Sequence, residues 1–232
     1  RDDVESRGLG DVYKRQDIYR VPGVGQIKRN DILVFNYPHP YSWERIEMHI
    51  MQYYIKRCLG LPGDSIRIEQ GFYRNNHTKE PLGNVESQAN LSRQKADRMP
   101  DGVYRCFPFD STFNWNVHDF GPLYIPRKGD RITVNQTNYK LYKQMIEWES
   151  KDSLSWKDSK VYIGDKQVRQ YQFQSNYYFV AGDKTENSRD SRYLGLIPEE
   201  FIVGVAWKVW KSVDPYTGEY RKGRFWKNIR NN

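Results

Sequence analysis

The chain has 232 residues, 15% of them aromatic, and a formal net charge of +8. This aromatic content excludes a disordered chain, and no run of ~18 apolar residues predicts a transmembrane helix within these positions. The only cysteines, Cys58 and Cys106, exclude a disulfide scaffold and a four-cysteine zinc site. The surplus of basic residues suits an anionic partner, either lipid headgroups or nucleic acid.

The N-terminal 16 residues are dense in charge and show neither helical nor strand periodicity. The chain begins with Arg rather than Met. We therefore predict that residues 1–16 are a tail, possibly foreign to the domain, and that one domain spans residues 17–232.

Short apolar or alternating runs dominate the rest of the chain and predict strands. In chain order they lie at residues 31–35, 53–59, 65–69, 126–135 (a turn and then a strand), 161–163, 167–169, 177–180 and 201–210. The turn signal Leu-Pro-Gly-Asp at 61–64 separates the second strand from the third, and a two-residue loop makes 161–169 a hairpin.

Two segments have helical spacing. Ile46 and Ile50 lie four residues apart and predict a short helix over residues 42–51. Residues 138–150 have apolar side chains at i, i+4 and i+7, with Asn138 as the expected N-cap. Residues 74–100 are polar and predict a long surface excursion. The fold class expected is mostly β, an antiparallel sheet or barrel with one or two short helices.

Neither a metal nor a cofactor is expected. The four histidines have no metal-ligand spacing, and the glycines at 23 and 25 lack the third glycine of a dinucleotide fingerprint.

One strand carries two adjacent basic residues, Lys56 and Arg57, just before the turn at 61–64. Because side chains alternate along a strand, these two point to opposite faces, and one of them points inward or crosses an edge. A desolvated lysine has a lowered pKa and offers a neutral amine as a base. The alternative is that both side chains extend to solvent at a sheet edge.

A dense polar loop, GDKTENSRDSRYLG at 182–195, lies between two apolar strands. It could be an ordinary solvated turn. Its hydroxyls at Ser188 and Ser191, with Asp190 and Arg192 of opposite charge, could instead build a hydrogen-bonded shelf that orients a neutral lysine.

These segments together resemble the type I signal peptidases. The matching motifs are YIKRCLGLPGD at 54–64, the polar loop at 182–195 and KRNDILVF at 28–35, in which Asn30 stands where the family usually has Gly. The resemblance extends over residues 17–227. The segment 74–160 looks like a β-rich insertion of the longer kind found in Bacteroidetes-type members.

The resemblance implies a role for each matching residue. Lys56 would be the general base of a Ser–Lys dyad, and Ser188 would hold its amine in place. Asp190 and Arg192 would form a supporting ion pair, and Gly182 would let the backbone pass close to the lysine.

Three further residues complete the implied site. Asp183 would belong to the same wall, while Tyr54 and Ile55 would lie on the strand that pairs with an extended substrate. The family removes signal peptides from exported pre-proteins after small-x-small sequences, typically Ala-x-Ala. It works at the extracytoplasmic (periplasmic) face of the cytoplasmic membrane, so the expected partners are signal peptides and an anionic membrane surface.

Two departures from the family pattern stand out. Lys184, Thr185 and Glu186 replace the usual Asn-Arg-Asp. The family's nucleophilic serine belongs to a Ser-Met-x-Pro box that lies on the N-terminal side of the lysine strand. Ser6 and Ser42 are the only serines before Lys56, and neither precedes a proline by three residues, so the nucleophile is absent. We therefore expect that the membrane anchor and the nucleophile segment are missing and that the chain is inactive as given. A natural pseudoenzyme that only binds is the alternative.

Two other function classes are weaker. A nucleic-acid-binding module would use the positive charge and the aromatic rings, but the basic residues are spread along the chain and no binding motif appears. A self-cleaving repressor-type Ser–Lys protease would share the dyad, but no helical DNA-binding domain is visible. We therefore expect no nucleic-acid partner.

Overall fold

A computed structural model describes residues 23, 25–214 and 216–229. Its strands are β1 (Ile32–Asn36), β2 (Tyr53–Gly60), β3 (Ser65–Glu69), β4 (Phe72–Asn75), β5 (Phe120–Tyr124), β6 (Arg131–Thr133), β7 (Leu154–Lys157), β8 (Lys160–Ile163), β9 (Lys166–Val168), β10 (Gln170–Gln172), β11 (Tyr177–Ala181), β12 (Ile197–Pro198), β13 (Ile202–Ala206), β14 (Lys208–Val209) and β15 (Lys227–Asn228). Its helices are α1 (Val85–Ser92), α2 (Asp101–Tyr104), α3 (Gln136–Ser150) and α4 (Ser191–Leu194). The predicted tail at 1–16 lies outside the described residues.

The strands form antiparallel sheets, so the mostly β prediction is confirmed. The largest sheet has five strands in the order β12-β11-β2-β1-β13, which places β2 at its centre. Two three-stranded sheets, β4-β3-β5 and β7-β8-β9, and two strand pairs complete the β structure of the described residues.

The alternation of side chains decides which strand faces pack into the core. Ile66 and Ile68 of β3 are buried, whereas Arg67 and Glu69 between them are exposed, as the sequence predicts for a half-exposed strand. All five residues of β11 are buried, which agrees with their uninterrupted apolar character.

The predicted helix at 138–150 exists but begins earlier, at Gln136. The Asn135 side chain accepts a hydrogen bond from the Asn138 backbone N–H at 2.8 Å, so Asn135 is the N-cap and the prediction of Asn138 is wrong. Both asparagines are good capping residues, and only the backbone conformation distinguishes them.

The helix predicted at 42–51 is wrong. These residues form turns and bends, and the Glu47 backbone N–H donates to the Pro38 carbonyl at 2.9 Å. Of the two isoleucines, Ile46 is buried while Ile50 is only half-buried. One apolar pair makes too narrow a stripe to hold a helix on the core.

The segment 74–160 is a mixture of helix and strand rather than β-rich. It contains α1, α2 and α3, and the part predicted as a surface excursion, 74–100, contributes Leu82 and Leu91 to the core. Apolar residues are sparse in this stretch, so its polar composition hid the buried face of α1.

The turn before β1 explains an unusual residue in the 28–35 motif. Asn30 has φ 67, the left-handed region that glycine adopts at no cost and that asparagine tolerates. Its side chain also accepts a hydrogen bond from the Gly83 backbone N–H at 2.9 Å and donates one to the Pro81 carbonyl at 3.0 Å. The asparagine therefore ties the turn to the segment before α1.

Candidate active site

The alternation along β2 separates its two basic residues. Leu33 of β1, which pairs with Lys56 and points to the same face, is fully buried, whereas Ile32 opposite Arg57 is only half-buried, so Lys56 lies on the core side of the sheet. Arg57 points to the opposite face and makes a bidentate ion pair with Asp183, at 2.7 and 2.6 Å. The alternative in which both side chains extend to solvent at an edge is therefore wrong.

Lys56 is half-buried, and its amine meets the polar loop. Lys56 Nζ donates to Ser188 Oγ at 3.0 Å, which brings together groups 132 residues apart. Burial lowers the pKa of Lys56 below its ordinary value; the Asp190 carboxylate opposes this shift, and the Arg192 guanidinium adds to it. Desolvation disfavours the ammonium form, and no carboxylate forms an ion pair with it among the described residues.

The absence of a side chain at Gly182 lets Ser188 lie next to the Lys56 amine. A Cβ on Gly182 would lie 2.1 Å from Ser188 Oγ and 3.5 Å from Lys56 Nζ. Real Cβ atoms do not come that close to an oxygen, so any other residue at 182 would displace Ser188. The glycine therefore makes room chiefly for the serine rather than for the lysine.

A buried ion pair holds the polar loop in shape. Asp190 and Arg192 are almost completely buried, at 0% and 1% side-chain exposure, and Arg192 Nε and Nη2 both donate to the Asp190 carboxylate at 2.9 Å. Asp190 also accepts from the Gly182 backbone N–H at 3.0 Å. Arg192 Nη2 donates to the Thr185 carbonyl at 2.8 Å. The pair thus fixes both ends of the loop that carries Ser188.

The second serine of the loop has a different place. Ser191 is fully buried, and its Oγ accepts from the Val180 backbone N–H at 3.0 Å, so it ties α4 to β11 instead of facing Lys56. The other residues predicted for the site, Tyr54 and Ile55, lie directly before Lys56 on β2.

The first half of β2 has a sheet edge that no described strand occupies. β1 pairs with β2 from Tyr53 to Arg57, but β11 pairs only from Arg57 onward. The Cys58 backbone N–H and C=O both bond towards β1. Backbone groups alternate in direction along a strand, so those of Tyr53 and Ile55 point to the edge on the β11 side.

The Tyr54 and Ile55 side chains differ in surroundings. The Tyr54 ring stacks on Tyr37 with centroids 4.7 Å apart, and Lys56 Nζ lies 5.8 Å from its centre. Ile55 is mostly exposed. A rigid aromatic wall and an exposed aliphatic side chain thus flank the open edge.

Sequence reasoning missed one support of the loop. The Ser87 hydroxyl, at the start of α1, accepts from the Thr185 backbone N–H at 2.7 Å and donates to the Glu186 carboxylate. Thr185 and Glu186 are two of the three residues that depart from the family pattern, and both bond to Ser87, a residue almost 100 positions away. No local signal could have shown this contact.

Residues 23, 25–214 and 216–229 provide neither of two other kinds of site. No cluster of three or more His, Cys, Asp or Glu side chains is arranged to hold a metal ion there. Within the same residues, no helix has the length and apolarity needed to cross a bilayer. Cys58 and Cys106 are both buried and free.

Comparison with known proteins gives a family and several relatives. Residues 10–210 match the family model described as signal peptidase, peptidase S26. Signal peptidase I of Buchnera aphidicola subsp. Acyrthosiphon pisum (strain APS) is 29% identical over 202 residues, covering 84% of this chain and 57% of that protein. Signal peptidase I of Pseudomonas aeruginosa is 27% identical over 203 residues, covering 83% and 52% respectively. The chain thus spans little more than half the length of these relatives.

A solved structure of a signal peptidase I from Enterococcus faecalis V583 covers 79% of this chain and 99% of its own, with 17% identity and a TM-score of 0.39. The match of the family model over most of the sequence decides the classification. The chain belongs to the signal peptidase family, peptidase S26.

Proposed function

We propose that this chain is the catalytic domain of an enzyme that removes signal peptides from exported pre-proteins. The observation that carries the proposal is the half-buried Lys56 amine, which has a lowered pKa and donates to Ser188 Oγ at 3.0 Å. A neutral amine at this place can act as a general base, a role that imidazole has in other serine peptidases.

The proposed reaction is acyl transfer by a Ser–Lys dyad. The neutral Lys56 amine takes the proton of a serine hydroxyl as that oxygen attacks the scissile carbonyl carbon, and the resulting ammonium returns the proton to the leaving amine. Water then cleaves the acyl-enzyme in the same manner. Ser188 acts as a positioning residue that keeps Nζ aimed at the nucleophile, and the Asp190–Arg192 pair keeps Ser188 in place.

The open edge of β2 suits the substrate. An extended signal peptide would add a strand there and bond to the backbone groups of Tyr53 and Ile55. We propose that cleavage follows small-x-small sequences, typically Ala-x-Ala. Lys56 and Ser188, just beyond the end of the open edge, would receive the scissile bond.

The nucleophilic serine is proposed to belong to a Ser-Met-x-Pro segment on the N-terminal side of Lys56. Ser6 and Ser42 are the serines before Lys56 in the 232 residues, and neither has a proline three positions later. We therefore expect the chain as given to be inactive, and a pseudoenzyme that binds signal peptides is the alternative.

A cleavage assay tests the proposed function. Replacing residues 1–16 by a segment that ends in Ser-Met-x-Pro is expected to produce cleavage of a pre-protein after Ala-x-Ala, whereas the chain as given is expected to produce none. The product is identified by its new N-terminus in mass spectrometry. Cleavage by the chain as given would refute the serine assignment. Absence of cleavage by both chains would favour the pseudoenzyme.

The C-terminal strand pair supports an anionic membrane surface as a second partner. Trp207, Trp210 and Phe225 are each more than 60% exposed around β14 and β15. Basic side chains lie among them, and Lys208 Nζ is within 5.2 Å of the centres of two indole rings. Exposed tryptophans mixed with lysines are typical of surfaces that lie in a bilayer interface. We propose that this surface rests on the extracytoplasmic face of the cytoplasmic membrane.

Liposome co-sedimentation of the chain as given tests this contact. Trp207→Ser is expected to weaken binding to vesicles containing phosphatidylglycerol about tenfold. The indole is exposed in the free chain and would be buried in the bilayer interface on binding, and serine lacks this apolar surface. Trp156→Ser on β7 is the control and should leave binding unchanged. Equal binding to purely zwitterionic vesicles, or equal effects of the two substitutions, would contradict the proposal.

A further inference from the structure

A second feature adjoins the proposed site. A cleft of about 890 Å³ opens beside Ser188. Its walls come from four separate parts of the chain, namely residues 39–44, residues 102–109, one face of α3 and the stretch 186–193, which runs into α4. Its volume lies within the range of ~300–1,000 Å³ that is usual for ligand pockets.

Hydrogen bonds join the walls to one another. The Tyr193 hydroxyl donates to the Val103 carbonyl at 2.7 Å, which ties α2 to α4. The Gln144 side chain donates to the Trp43 carbonyl at 2.8 Å, which ties α3 to the loop at 39–44. The Arg189 guanidinium lies 5.0 Å from the centre of the Trp43 ring. The cleft is therefore formed before any ligand arrives, which limits the entropy lost on binding.

The path of a substrate leads from the edge of β2 to this cleft. A peptide paired beside Tyr53 and Ile55 cannot continue past Arg57, because Ala181 of β11 already occupies the edge there. The peptide leaves the sheet at Lys56 and Ser188. Ser188 also lines the cleft, whereas no residue of β2 does. The edge and the cleft thus meet at the proposed site and hold different parts of one chain.

The chemistry of the two surfaces indicates which part each would hold. Met51, Tyr53 and Ile55 are each more than half exposed and, at alternate positions, give the edge an apolar border. A signal peptide carries an apolar segment of about 7–15 residues on the amino side of its small-residue cleavage site.

The cleft, in contrast, mixes apolar and charged groups. Val103 and Phe109 line it together with Lys143, Arg189 and Glu186. Such a surface fits an ordinary polypeptide of mixed composition, and the mature part of an exported protein, beyond the cleavage site, is a polypeptide of that kind.

We propose that this cleft binds the first residues of the mature protein, on the carboxyl side of the cleavage site. The inference rests on the proposed function. It also assigns a role to residues 102–109 and to α3, which supply two of the four walls. By binding the first residues of the mature protein on the far side of Lys56, the cleft positions the scissile peptide bond beside the lysine amine.

Position-specific photocrosslinking to the chain as given tests this inference. Two versions of a pre-protein peptide are used, with a benzophenone side chain either at the third residue after the cleavage site or at the fifth residue before it. Crosslinked residues are mapped by mass spectrometry. The first probe is expected to label residues 102–109 or α3, and the second probe to label residues 51–55.

Substitutions in the cleft give the quantitative arm. Val103→Asp is expected to lower labelling by the first probe at least about fivefold, because a charged group faces an apolar contact. Phe109→Asn is also expected to lower labelling by the first probe. Asparagine is chosen because it tolerates the positive φ at this position. Val85→Asp, at an exposed valine that starts α1, is the matched control and should change nothing. Undiminished labelling by the second probe shows that each variant is folded.

The outcomes separate the two proposals. Labelling of residues 51–55 by the second probe, with no labelling of the cleft by the first, would overturn the inference and leave the proposed function in place. Labelling by the first probe that is insensitive to Val103→Asp and Phe109→Asn would also overturn it. Failure of both probes to label the chain would overturn the inference together with the proposed function.

Discussion

Replacing Lys56 by methionine is expected to lower kcat/KM for pre-protein cleavage by about 10²- to 10⁴-fold, the usual worth of a general base. Methionine keeps an unbranched side chain of similar length on β2 but cannot accept a proton. The measurement is the pre-protein cleavage assay, with the chain that carries the Ser-Met-x-Pro segment. Lys160→Met, at an exposed lysine of β8, is the matched control.

The pH dependence distinguishes a base from a merely structural lysine. Because the neutral amine is the active form and burial lowers the pKa of Lys56, kcat/KM should rise with pH and level off below the ordinary lysine value of about 10.4. A Lys56→Met enzyme with more than a third of the parent rate, or a parent rate independent of pH below that value, would refute the role.

The same shift makes stability depend on pH. Between the lowered pKa of folded Lys56 and the ordinary lysine value, the unfolded chain holds the proton and the folded chain does not. The free energy of unfolding therefore gains a contribution that rises with pH across this window. Urea unfolding at several pH values should show that contribution in the parent and not in Lys56→Met.

Asp190→Asn is expected to lower the free energy of unfolding by about 3–5 kcal/mol, because it leaves the buried Arg192 guanidinium without its countercharge. The shape of the side chain is preserved, so the loss reports the charge rather than a cavity. Urea denaturation measures it. Asp101→Asn breaks an exposed ion pair with Arg105 and should have a much smaller effect.

A double substitution separates the charge from the rest of the network. Adding Arg192→Met to Asp190→Asn removes the unpaired cation and should restore part of the lost stability. In the cleavage assay, the rise of kcat/KM with pH should also shift to lower pH in Asp190→Asn, since the Asp190 carboxylate raises the pKa of Lys56. If Asp190→Asn lowered the free energy of unfolding no more than Asp101→Asn does, and the double variant showed no recovery, this account of the ion pair would be contradicted.

The strands that position the site were predictable because their signals are local. Residues 31–35 and 65–69 show apolar runs or alternation, and the turn at 61–64 ends β2 where expected. The failures came where the local signal was ambiguous. A single apolar pair suggested a helix at 42–51, and a polar composition concealed the buried side of α1.

The motif residues were predictable, but their partners were not. Sequence alternation already required Lys56 and Arg57 to point to opposite faces, and it left open which of them points inward. The decision came from β11, whose end places Asp183 beside Arg57 and Gly182 beneath Ser188.

The sequence by itself determined the β-rich class, the opposed faces of Lys56 and Arg57, and the two motifs of the site, because strand period and turn chemistry act between near neighbours. Only the tertiary structure decided that Lys56 meets Ser188, that Ser87 supports the loop, and that β2 has an open edge leading to a cleft. These contacts join residues about 100 positions apart or more, and they depend on strand order and on the space that one glycine leaves, which no local pattern encodes.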